Sequence, residues 1–286
     1  GALASFDIAS IPDTTAGVGF STSVTALDQY DNVITTHTDS GSSTLTLSPA
    51  TTSGNTTGPT LNAFSDGVAS LTGTIQQTGT YSIDVADGSV SQTSNTFTIT
   101  PASPDDLVIE SGDNQSADVL TALGAPLEVK VVDAFDNPIS GQAVSWDTGG
   151  EGSIQPDNAV TDSNGEVTAT WTLGPVAGAQ TAQASVSGLT SVTFDATAEA
   201  GPPARVFLDN LSDTSVSAGG TFSVDAIITD AQGNAVLDSQ VDDTLKVSLM
   251  DASGTATQAS LAGTTQQNAT TATTTFSGLS ITEAGA

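Results

Sequence analysis

The sequence predicts an all-β chain of three tandem β-sandwiches, and two observations carry this prediction. An alternation of apolar residues that leads into a turn from Asp to Asn occurs three times, at residues 20–32, 127–137 and 222–234. The repeats are 105 and 97 residues apart, which is the size of one sandwich module, when measured between their leading aspartates, Asp28, Asp133 and Asp230. Short apolar strands at regular spacing, with almost no helical periodicity, are typical of such arrays.

A short apolar strand stands upstream of each turn, at residues 6–8, 107–109 and 206–208. Proline-bearing stretches precede the second and third of these strands, at residues 100–104 and 200–203. Because proline has no N–H to donate and does not fit inside a central strand, these stretches indicate module boundaries. The sequence therefore predicts domains at residues 1–101, 102–200 and 201–286.

The middle repeat shows the strand alternation in most detail. In residues 166–173 the valine, alanine, tryptophan and leucine fall on one face and the threonines on the other, as in a half-buried antiparallel strand. The Asn-Gly pair at residues 164–165 favours a turn before this strand, because both residues tolerate positive φ. Trp146 and Trp171 face inward in this register, which predicts core positions rather than a sugar-stacking surface.

A glycine opens the closing hairpin of each repeat, at Gly79, Gly178 and Gly285. Since the last of these lies one residue before the end of the sequence, we expect the third sandwich to lack its last strands. Two explanations stay open: a strand donated by a neighbouring chain, and a third domain that continues beyond Ala286. The second is favoured, because few residues precede the first strand that could serve as a donor.

The middle repeat also contains three segments that carry a family resemblance, Asp133-Ala-Phe-Asp-Asn-Pro-Ile-Ser-Gly141, Ala143-Val-Ser-Trp146 and Thr161-Asp-Ser-Asn-Gly-Glu-Val-Thr-Ala-Thr170. They resemble the bacterial immunoglobulin-like domains of invasin- and intimin-type surface proteins, with Trp146 where that family has a smaller aromatic residue. The outer repeats match chiefly through their first strands and the Asp-to-Asn turn. The resemblance implies three tandem immunoglobulin-like sandwiches, secretion to the cell surface, a modular stalk and a role in adhesion or display, and it brings no catalytic residue.

The chain is strongly acidic, with 32 acidic against 3 basic residues and a formal net charge of −29. Such a chain repels nucleic acids and anionic membrane surfaces, so we expect no nucleic-acid partner. No apolar run reaches the roughly 18 residues of a membrane span, and we expect no membrane insertion of this segment. Cysteine is absent, which suits a large prokaryotic surface protein. Because salt screens the repulsion, the acidic, lysine-poor surface predicts a marine or halophilic source.

The sequence offers no candidate for catalysis. Its one histidine, His37, lies in a polar stretch, and we expect an exposed loop residue rather than a member of a catalytic triad. No His and Cys cluster has the spacing of a zinc site, and no glycine-rich loop has the lysine of a phosphate cradle. Lys130 and Lys246 alternate with apolar residues and are expected to point outward, which disfavours a buried isopeptide cross-link. The chain is therefore predicted not to be an enzyme.

Calcium is the one metal for which the sequence makes a case. Calcium prefers oxygen ligands, and carboxylates follow both predicted boundaries, at Asp105, Asp106, Asp209 and Asp213. The simpler interpretation, that Asp serves these turns without a metal, stays open. Four Asn-x-Ser/Thr sequons give candidate glycosylation sites in a chain whose abundant Ser and Thr produce such motifs by chance, at Asn55, Asn114, Asn210 and Asn268.

These observations predict a structural and adhesive repeat region of a long extracellular surface or filament protein, acting as a stalk or fibre-forming rod. Its expected partners are further immunoglobulin-like repeats of the same protein or neighbouring copies in an assembly. Two alternatives stay open: an adhesin module that binds a cell-surface glycan or receptor, and a repeat of a phage or virion surface protein.

Overall fold

The computed structural model describes residues 1–38, 43–51, 56–213, 215–236, 240–241, 243–250, 254 and 260–282. Within these residues the regular elements are β-strands, and no α-helix occurs among them. The all-β prediction is therefore confirmed. Backbone pairing divides the described strands into three groups, because no sheet joins a strand of one group to a strand of another.

The first group contains β1 (Ser5–Ile8), β2 (Thr14–Thr15), β3 (Gly19–Leu27), β4 (Ser43–Ser48), β5 (Thr56–Leu61), β6 (Val68–Ile75), β7 (Gly79–Asp87), β8 (Val90–Thr93) and β9 (Phe97–Thr100). One sheet has the order β1-β3-β6-β5. The facing sheet has the order β2-β9-β7-β4, with β8 paired to β7. All neighbouring strands are antiparallel except β2 and β9, and two such facing sheets form a sandwich.

The second group contains β10 (Pro104–Ser111), β11 (Gln115–Asp118), β12 (Leu127–Asp133), β13 (Ala143–Asp147), β14 (Ser153–Gln155), β15 (Asn158–Val160), β16 (Glu166–Thr172), β17 (Gly178–Ser185) and β18 (Val192–Glu199). Its sheets have the orders β10-β12-β16-β14 and β11-β18-β17-β13-β15. As in the first group, the short second strand pairs in parallel with the last one. The two groups therefore share one topology except for the fifth strand of the second sheet, which is β8 beside β7 in the first group and β15 beside β13 in the second.

The third group contains β19 (Arg205–Asp209), β20 (Thr221–Thr229), β21 (Asp243–Lys246), β22 (Ser260–Ala262), β23 (Gln266–Ala269) and β24 (Thr273–Thr282). Its first sheet has the order β19-β20-β24-β22, which matches the first sheets of the other groups. Among the described residues its second sheet consists of β21 and β23, where the other two groups have five strands. Gly285, which the sequence predicts to open a closing hairpin, lies outside the described residues.

The core of each of the first two groups is built by side chains that alternate along the strands. In β16, Val167, Ala169 and Trp171 are buried while the threonines between them are exposed, as the alternation predicts. Trp146 and Trp171 are 5% and 0% exposed, which confirms both as core residues. Burying large aromatic and branched side chains in this way supplies the main stabilisation of a sandwich.

The first strand of the third group is more exposed to solvent than the first strands of the other two groups. Val206 pairs with Ile228 in the same register in which Phe6 pairs with Ala26 and Leu107 with Val131. Phe6 and Leu107 are 3% and 2% exposed, whereas Val206 is 52% exposed. Among the described residues the second sheet of the third group has two strands against five in the other groups, so fewer described strands cover this part of the core face.

The gaps between the strand groups fall where the sequence predicts boundaries. β9 ends at Thr100 and β10 begins at Pro104, while β18 ends at Glu199 and β19 begins at Arg205. The limits 1–101, 102–200 and 201–286 for independent domains stay a prediction. In the described part of the chain, no helix has the length and apolar character that crossing a membrane requires.

Equivalent core positions are expected to differ in their contribution to stability. Leu107→Ala leaves a cavity under a complete second sheet, so we expect it to lower the free energy of unfolding by about 2–5 kcal/mol. Val206→Ala removes a side chain that is already half in solvent, so its cost is expected to be below about 0.5 kcal/mol. Urea unfolding followed by circular dichroism measures both, with tryptophan fluorescence as a second probe for Leu107→Ala, because both tryptophans lie in the second group; equal costs would contradict the difference in burial.

Candidate functional site at the joints between strand groups

Each of the three repeated turns is built around an aspartate carboxylate. In the second group, Asp133 Oδ1 accepts hydrogen bonds from the backbone N–H groups of Phe135 at 2.9 Å and Asn137 at 3.0 Å. The Asp133 N–H donates to the carbonyl oxygen of Asn137 at 3.0 Å and closes the turn. Asp136 has a φ of 61°, a conformation that Asp tolerates better than most side chains. The Asp-to-Asn spacing therefore determines this turn locally.

The turns of the other two groups repeat this geometry. In each, the Asp Oδ1 accepts from two backbone N–H groups at 2.9–3.0 Å, those of Tyr30 and Asn32 on Asp28 and those of Gln232 and Asn234 on Asp230. The residue before each Asn again has positive φ, 62° at Asp31 and 96° at Gly233. The three turns are thus one structure made from one sequence pattern.

In the second group the turn reaches across to the end of the first group. Asn137 Oδ1 accepts from the Thr78 N–H at 2.9 Å, and Asn137 Nδ2 donates to the Gln76 carbonyl oxygen at 2.7 Å. The side-chain amide therefore takes the place of one peptide unit of a neighbouring strand, with its acceptor and its donor both used. Asn137 is 5% exposed, so this contact is largely shielded from water.

We call this pair of hydrogen bonds from an Asn side-chain amide a clamp. The same clamp forms between the second and third groups. Asn234 Oδ1 accepts from the Ala177 N–H at 2.9 Å, and Asn234 Nδ2 donates to the Pro175 carbonyl oxygen at 2.9 Å. Both joints thus connect an Asn amide to a carbonyl and an N–H that are two residues apart, just before the glycine that opens a strand, β7 or β17. Two independent segments with different sequences make the same pair of bonds.

The second oxygen of each aspartate holds the linker and the Asn amide. Asp133 Oδ2 accepts from the Ala102 N–H at 2.8 Å and from Asn137 Nδ2 at 2.9 Å. Asp230 Oδ2 accepts from the Gly201 N–H at 3.0 Å and from Asn234 Nδ2 at 2.8 Å. One carboxylate thereby positions the turn, the linker and the amide that contacts the preceding group.

These hydrogen bonds explain why two buried carboxylates remain charged. Asp133 and Asp230 are 2% and 1% exposed, and burial raises the pKa of each. The hydrogen bonds from their Asn partners and from the backbone outweigh burial, so the pKa of each lies below its ordinary value of 3.8. The pKa of Asp28 is also lowered, chiefly by the backbone N–H groups of Tyr30 and Asn32.

An aromatic contact adds to the first joint. The ring of Phe135 is half-buried against the core of the first group and lies over Gly17. A Cβ at Gly17 would stand 2.4 Å from Phe135 Cζ, and Gly17 has a φ of 78°. Glycine is therefore required here both for the backbone and for the close approach of the ring. In the second joint the position of Phe135 is taken by Gln232.

The structure corrects the prediction for His37. Its side chain is 11% exposed rather than free in a loop, and its ring lies edge-on to Phe64 with 4.6 Å between the ring centroids. His37 Nε2 is 3.9 Å from an oxygen of Asp87. The polar neighbours of His37 in the sequence suggested exposure, but the chain folds this one side chain back onto the edge of the core.

Both lysines lie on the outward faces of their strands, as predicted. Lys130 alternates with buried Val129 and Val131, and its Nζ lies 3.3 Å from Glu166 Oε1. Lys246 is exposed. Neither geometry resembles a buried isopeptide cross-link.

The calcium candidates are not brought together by the described structure. Asp105 and Asp106 lie in β10, Asp209 ends β19, and Asp213 follows it. Asp213 Oδ1 accepts from the Ser215 N–H at 3.0 Å, which is an ordinary Asx turn. Across the residues that the structure describes, no three His, Cys, Asp or Glu side chains group in a way that could hold a metal. Calcium binding at these aspartates stays a prediction.

The glycosylation candidates also stay a prediction. Asn114, Asn210 and Asn268 are exposed, and the first two have φ values of 56° and 50°. Asn210 Nδ2 donates to Asp225 Oδ2 at 2.9 Å. Asn55 lies outside the described residues.

The sequence predicts the three turns but not their role in the joints. The signal that could have indicated it is the Asn four residues after each Asp, which keeps its place while the residues between them change. A turn needs the Asp, whereas a fixed Asn indicates a further contact. The partners of the Asn side chain are backbone atoms, and the identity of a residue gives no sign of a contact made by its backbone. These atoms belong to Gln76 and Thr78 at the first joint and to Pro175 and Ala177 at the second.

Comparisons with known proteins agree with the sandwich fold. Residues 113–199 match the family model of the bacterial Ig-like domain (group 1), which confirms the resemblance for the second strand group. A comparison with curated proteins found no match.

Among solved structures, the chain is similar to FdeC, an Escherichia coli adhesin, with 19% identity and a TM-score of 0.52 over 99% of this chain and 91% of that chain. Invasin, a bacterial integrin-binding protein, shares 16% identity over 99% of this chain and 55% of that chain, with a TM-score of 0.45. The S-layer protein SbsC, domains 4 and 5, shares 16% identity over 69% of this chain and 99% of that chain, with a TM-score of 0.32. At these identities the similarity to FdeC supports a common fold.

Acid is expected to open the joints. Because the pKa values of Asp133 and Asp230 lie below 3.8 in the folded chain, their stabilisation is complete above about pH 3.8 and is lost as the pH falls through the lower folded values. In an NMR titration from about pH 6 to about pH 2, the amide signals of Thr78 and Ala177 should shift together with these two carboxyl groups. In Asp133→Asn the titration should disappear at Thr78 and persist at Ala177; two unchanged amide signals in the parent chain would contradict the coupling.

Calcium binding at the predicted aspartates has a direct test. If Asp105 and Asp106 bind the ion in the folded chain only, millimolar calcium should raise the melting temperature. The rise should be absent in the double variant Asp105→Ala/Asp106→Ala and present in a control with Asp162→Ala, which lies in a turn of the same group. An unchanged melting temperature in the parent chain would remove the prediction.

Proposed function

We propose that this chain is the repeat region of a bacterial surface protein, in which successive immunoglobulin-like modules form an extended stalk or fibre-forming rod outside the cell. The observation that carries the proposal is the pair of equivalent joints, in which Asn137 and Asn234 clamp the end of the preceding strand group through the same two bonds. A clamp that repeats sets the direction of each module relative to the last. The proposed role is mechanical and adhesive rather than enzymatic.

The free energy of the clamp favours the docked joint over the open one but still allows the joint to open. Each of its two hydrogen bonds contributes about 0.5–1.5 kcal/mol, so together they favour the docked arrangement by about 1–3 kcal/mol. That energy corresponds to a docked population about 5 to 150 times the open one. Since residues 101–103 alone separate β9 from β10, the two partners also stay at high local concentration.

The charge of the chain supports an extended form. With a net charge of −29 spread over the three strand groups, any arrangement that folds one group back on another brings like charges together. The repulsion acts over about 8 Å at physiological salt, so it opposes close side-by-side contact between groups.

The proposed domains are residues 1–101, 102–200 and 201–286. Two observations support these limits: every described sheet is confined to one of the three ranges, and the linker amides of Ala102 and Gly201 bind the aspartate of the group that follows them. The linkers are therefore held within the joints and do not act as flexible tethers.

An adhesin module that binds a glycan or a receptor is the second candidate. FdeC, whose fold the chain shares over 99% of its length, is an adhesin, and an exposed aromatic side chain suited to a ligand occurs away from the repeated turns at Phe207, which is 48% exposed. Such a role would be carried by this surface and is compatible with the stalk, because a module in a rod keeps its sides free.

Removing the clamp is expected to loosen the rod without unfolding its modules. The chain has no cysteine, so spin labels can be attached at single cysteines introduced at the exposed Ser21 and Thr168 to span the first joint, or Thr168 and Ser277 to span the second. In Asn137→Ala and Asn234→Ala, the distance distribution across the altered joint should broaden about twofold, because the lost bonds held the two groups in one orientation.

Asn164→Ala is the matched control, since Asn164 is exposed in a turn within the second group and contributes no bond to either clamp. Its distributions should equal those of the parent chain. Broad distributions across both joints of the parent chain would contradict the rod.

A further inference from the structure

The turn of the first group has the side chains of the two clamps, and among the described residues the hydrogen bonds of its Asn32 side chain stay within the turn, on Asp28. Asn32 is exposed, and its Nδ2 lies 3.2 Å from Asp28 Oδ1, as Asn137 Nδ2 lies 3.1 Å from Asp133 Oδ1. The Gly1 nitrogen is 3.8 Å from Asp28 Oδ2. It stands where the Gly201 N–H stands on Asp230, at the position of a linker amide. The turn is therefore assembled in the same form as at the two occupied joints.

An exposed aromatic side chain stands beside this turn. Tyr30 occupies the position of Phe135, two residues after the Asp, and is 75% exposed. Phe135 in the same position packs over Gly17 of the preceding group. Large aromatic side chains in contact surfaces supply much of the binding energy there, so an unpaired one at a module end marks a contact surface.

The surface that faces such an aromatic residue can be identified in every group. It is a residue of positive φ ahead of the long strand of the first sheet: Gly17 with φ 78° and Leu120 with φ 61° follow the short strands β2 and β11, and Gly219 with φ 81° precedes β20. Its N–H donates in each case to the end of a first-sheet strand or the residues just after it, at Ile75, Gly174 and Ile281. These three residues are therefore equivalent.

The size of the side chain at this position determines whether a group can accept an aromatic residue from the next group. A Cβ at Gly17 would be 2.4 Å from the Phe135 ring, which is closer than side-chain atoms approach. A group with leucine at this position, as the second group has at Leu120, therefore excludes a ring in the same place. In agreement, the residue that occupies the Phe135 position at the second joint is Gln232 and not an aromatic residue.

We propose that Tyr30, Asn32 and the Asp28 turn form the docking surface for another immunoglobulin-like module of the same protein, joined end to end ahead of Gly1 and carrying glycine at the position of Gly17. Its backbone presents a carbonyl and an N–H to Asn32 as Gln76 and Thr78 present them to Asn137. The inference rests on the proposed function, and it adds the identity of the partner: a module of the type of residues 1–101, and not one of the type of residues 102–200.

The test extends the intact chain at its N-terminus by one module of either type. A second copy of residues 1–101 places Thr100 and Pro101 before Gly1, as the same two residues precede the linker amide at the first joint. A copy of residues 102–200 gives the spacing of the second joint, with leucine in place of glycine. Spin labels at Ser21 of the chain and at an exposed serine of the added module, Ser21 or Ser116, report the width of the distance distribution across the new joint.

With the glycine-bearing module, we expect a distribution as narrow as that across the Asn137 joint. It should broaden about twofold with Asn32→Ala or Tyr30→Ala and stay narrow with Tyr30→Phe, because Phe135 makes this contact at the first joint. Gly17→Leu in the added copy, or the leucine-bearing module, should give the broad distribution. The melting temperature should not change with Tyr30→Ala, since this side chain is exposed.

Equal widths with both added modules, or a width insensitive to Asn32→Ala, would overturn the inference. If the Asn137 joint is narrow in the same molecule, the proposed rod survives that result, whereas broad distributions at both joints would defeat the proposed function itself. Analytical ultracentrifugation of the unextended chain tests the alternative that a second copy of the chain binds this surface. Self-association that Tyr30→Ala abolishes would assign the surface to a second copy, whose Gly219 has no atom within 4 Å of its Cβ position, and would overturn the linked module.

Discussion

The buried carboxylate of the repeated turn is the interaction on which the rest of the structure depends. Asp133 accepts two backbone N–H groups of its own turn, the linker N–H of Ala102 and the amide of Asn137. A buried charge without partners costs several kcal/mol, and these bonds use the acceptor sites of both oxygens. The Asp133 side chain binds the turn, the linker and the Asn amide that contacts the preceding module. The same residue therefore stabilises the fold of its own module and fixes the orientation of the neighbouring one.

The two joints share their polar contact and differ in their apolar one. The Asn amide binds backbone atoms, so it accepts Gln76 and Thr78 as readily as Pro175 and Ala177. The contact between Phe135 and Gly17 depends on side chains and has no counterpart at the second joint. The Asn clamp, which binds backbone atoms, thus sets the orientation of one module relative to the next for any neighbour. The side-chain contact determines which neighbour fits, so it contributes specificity.

The sequence predicts the fold well because alternation and turns are local properties. The inward faces at Val167 and Trp171 and the three Asp-led turns follow from patterns a few residues long. The joints could not be predicted in the same way, because Asn137 binds backbone atoms that every residue carries. His37 was assigned wrongly for a related reason, since its polar neighbours give no indication of the contact with Phe64.

The short linkers have a mechanical consequence for a protein under tension. If a pulling force breaks the two bonds of Asn137, the chain that is freed is the stretch between β9 and β10, residues 101–103. Three residues extend by at most about 10 Å, so the joint yields a little and then transmits the full load to the strands. A series of such joints would absorb a sudden pull in small steps while every sandwich stays folded.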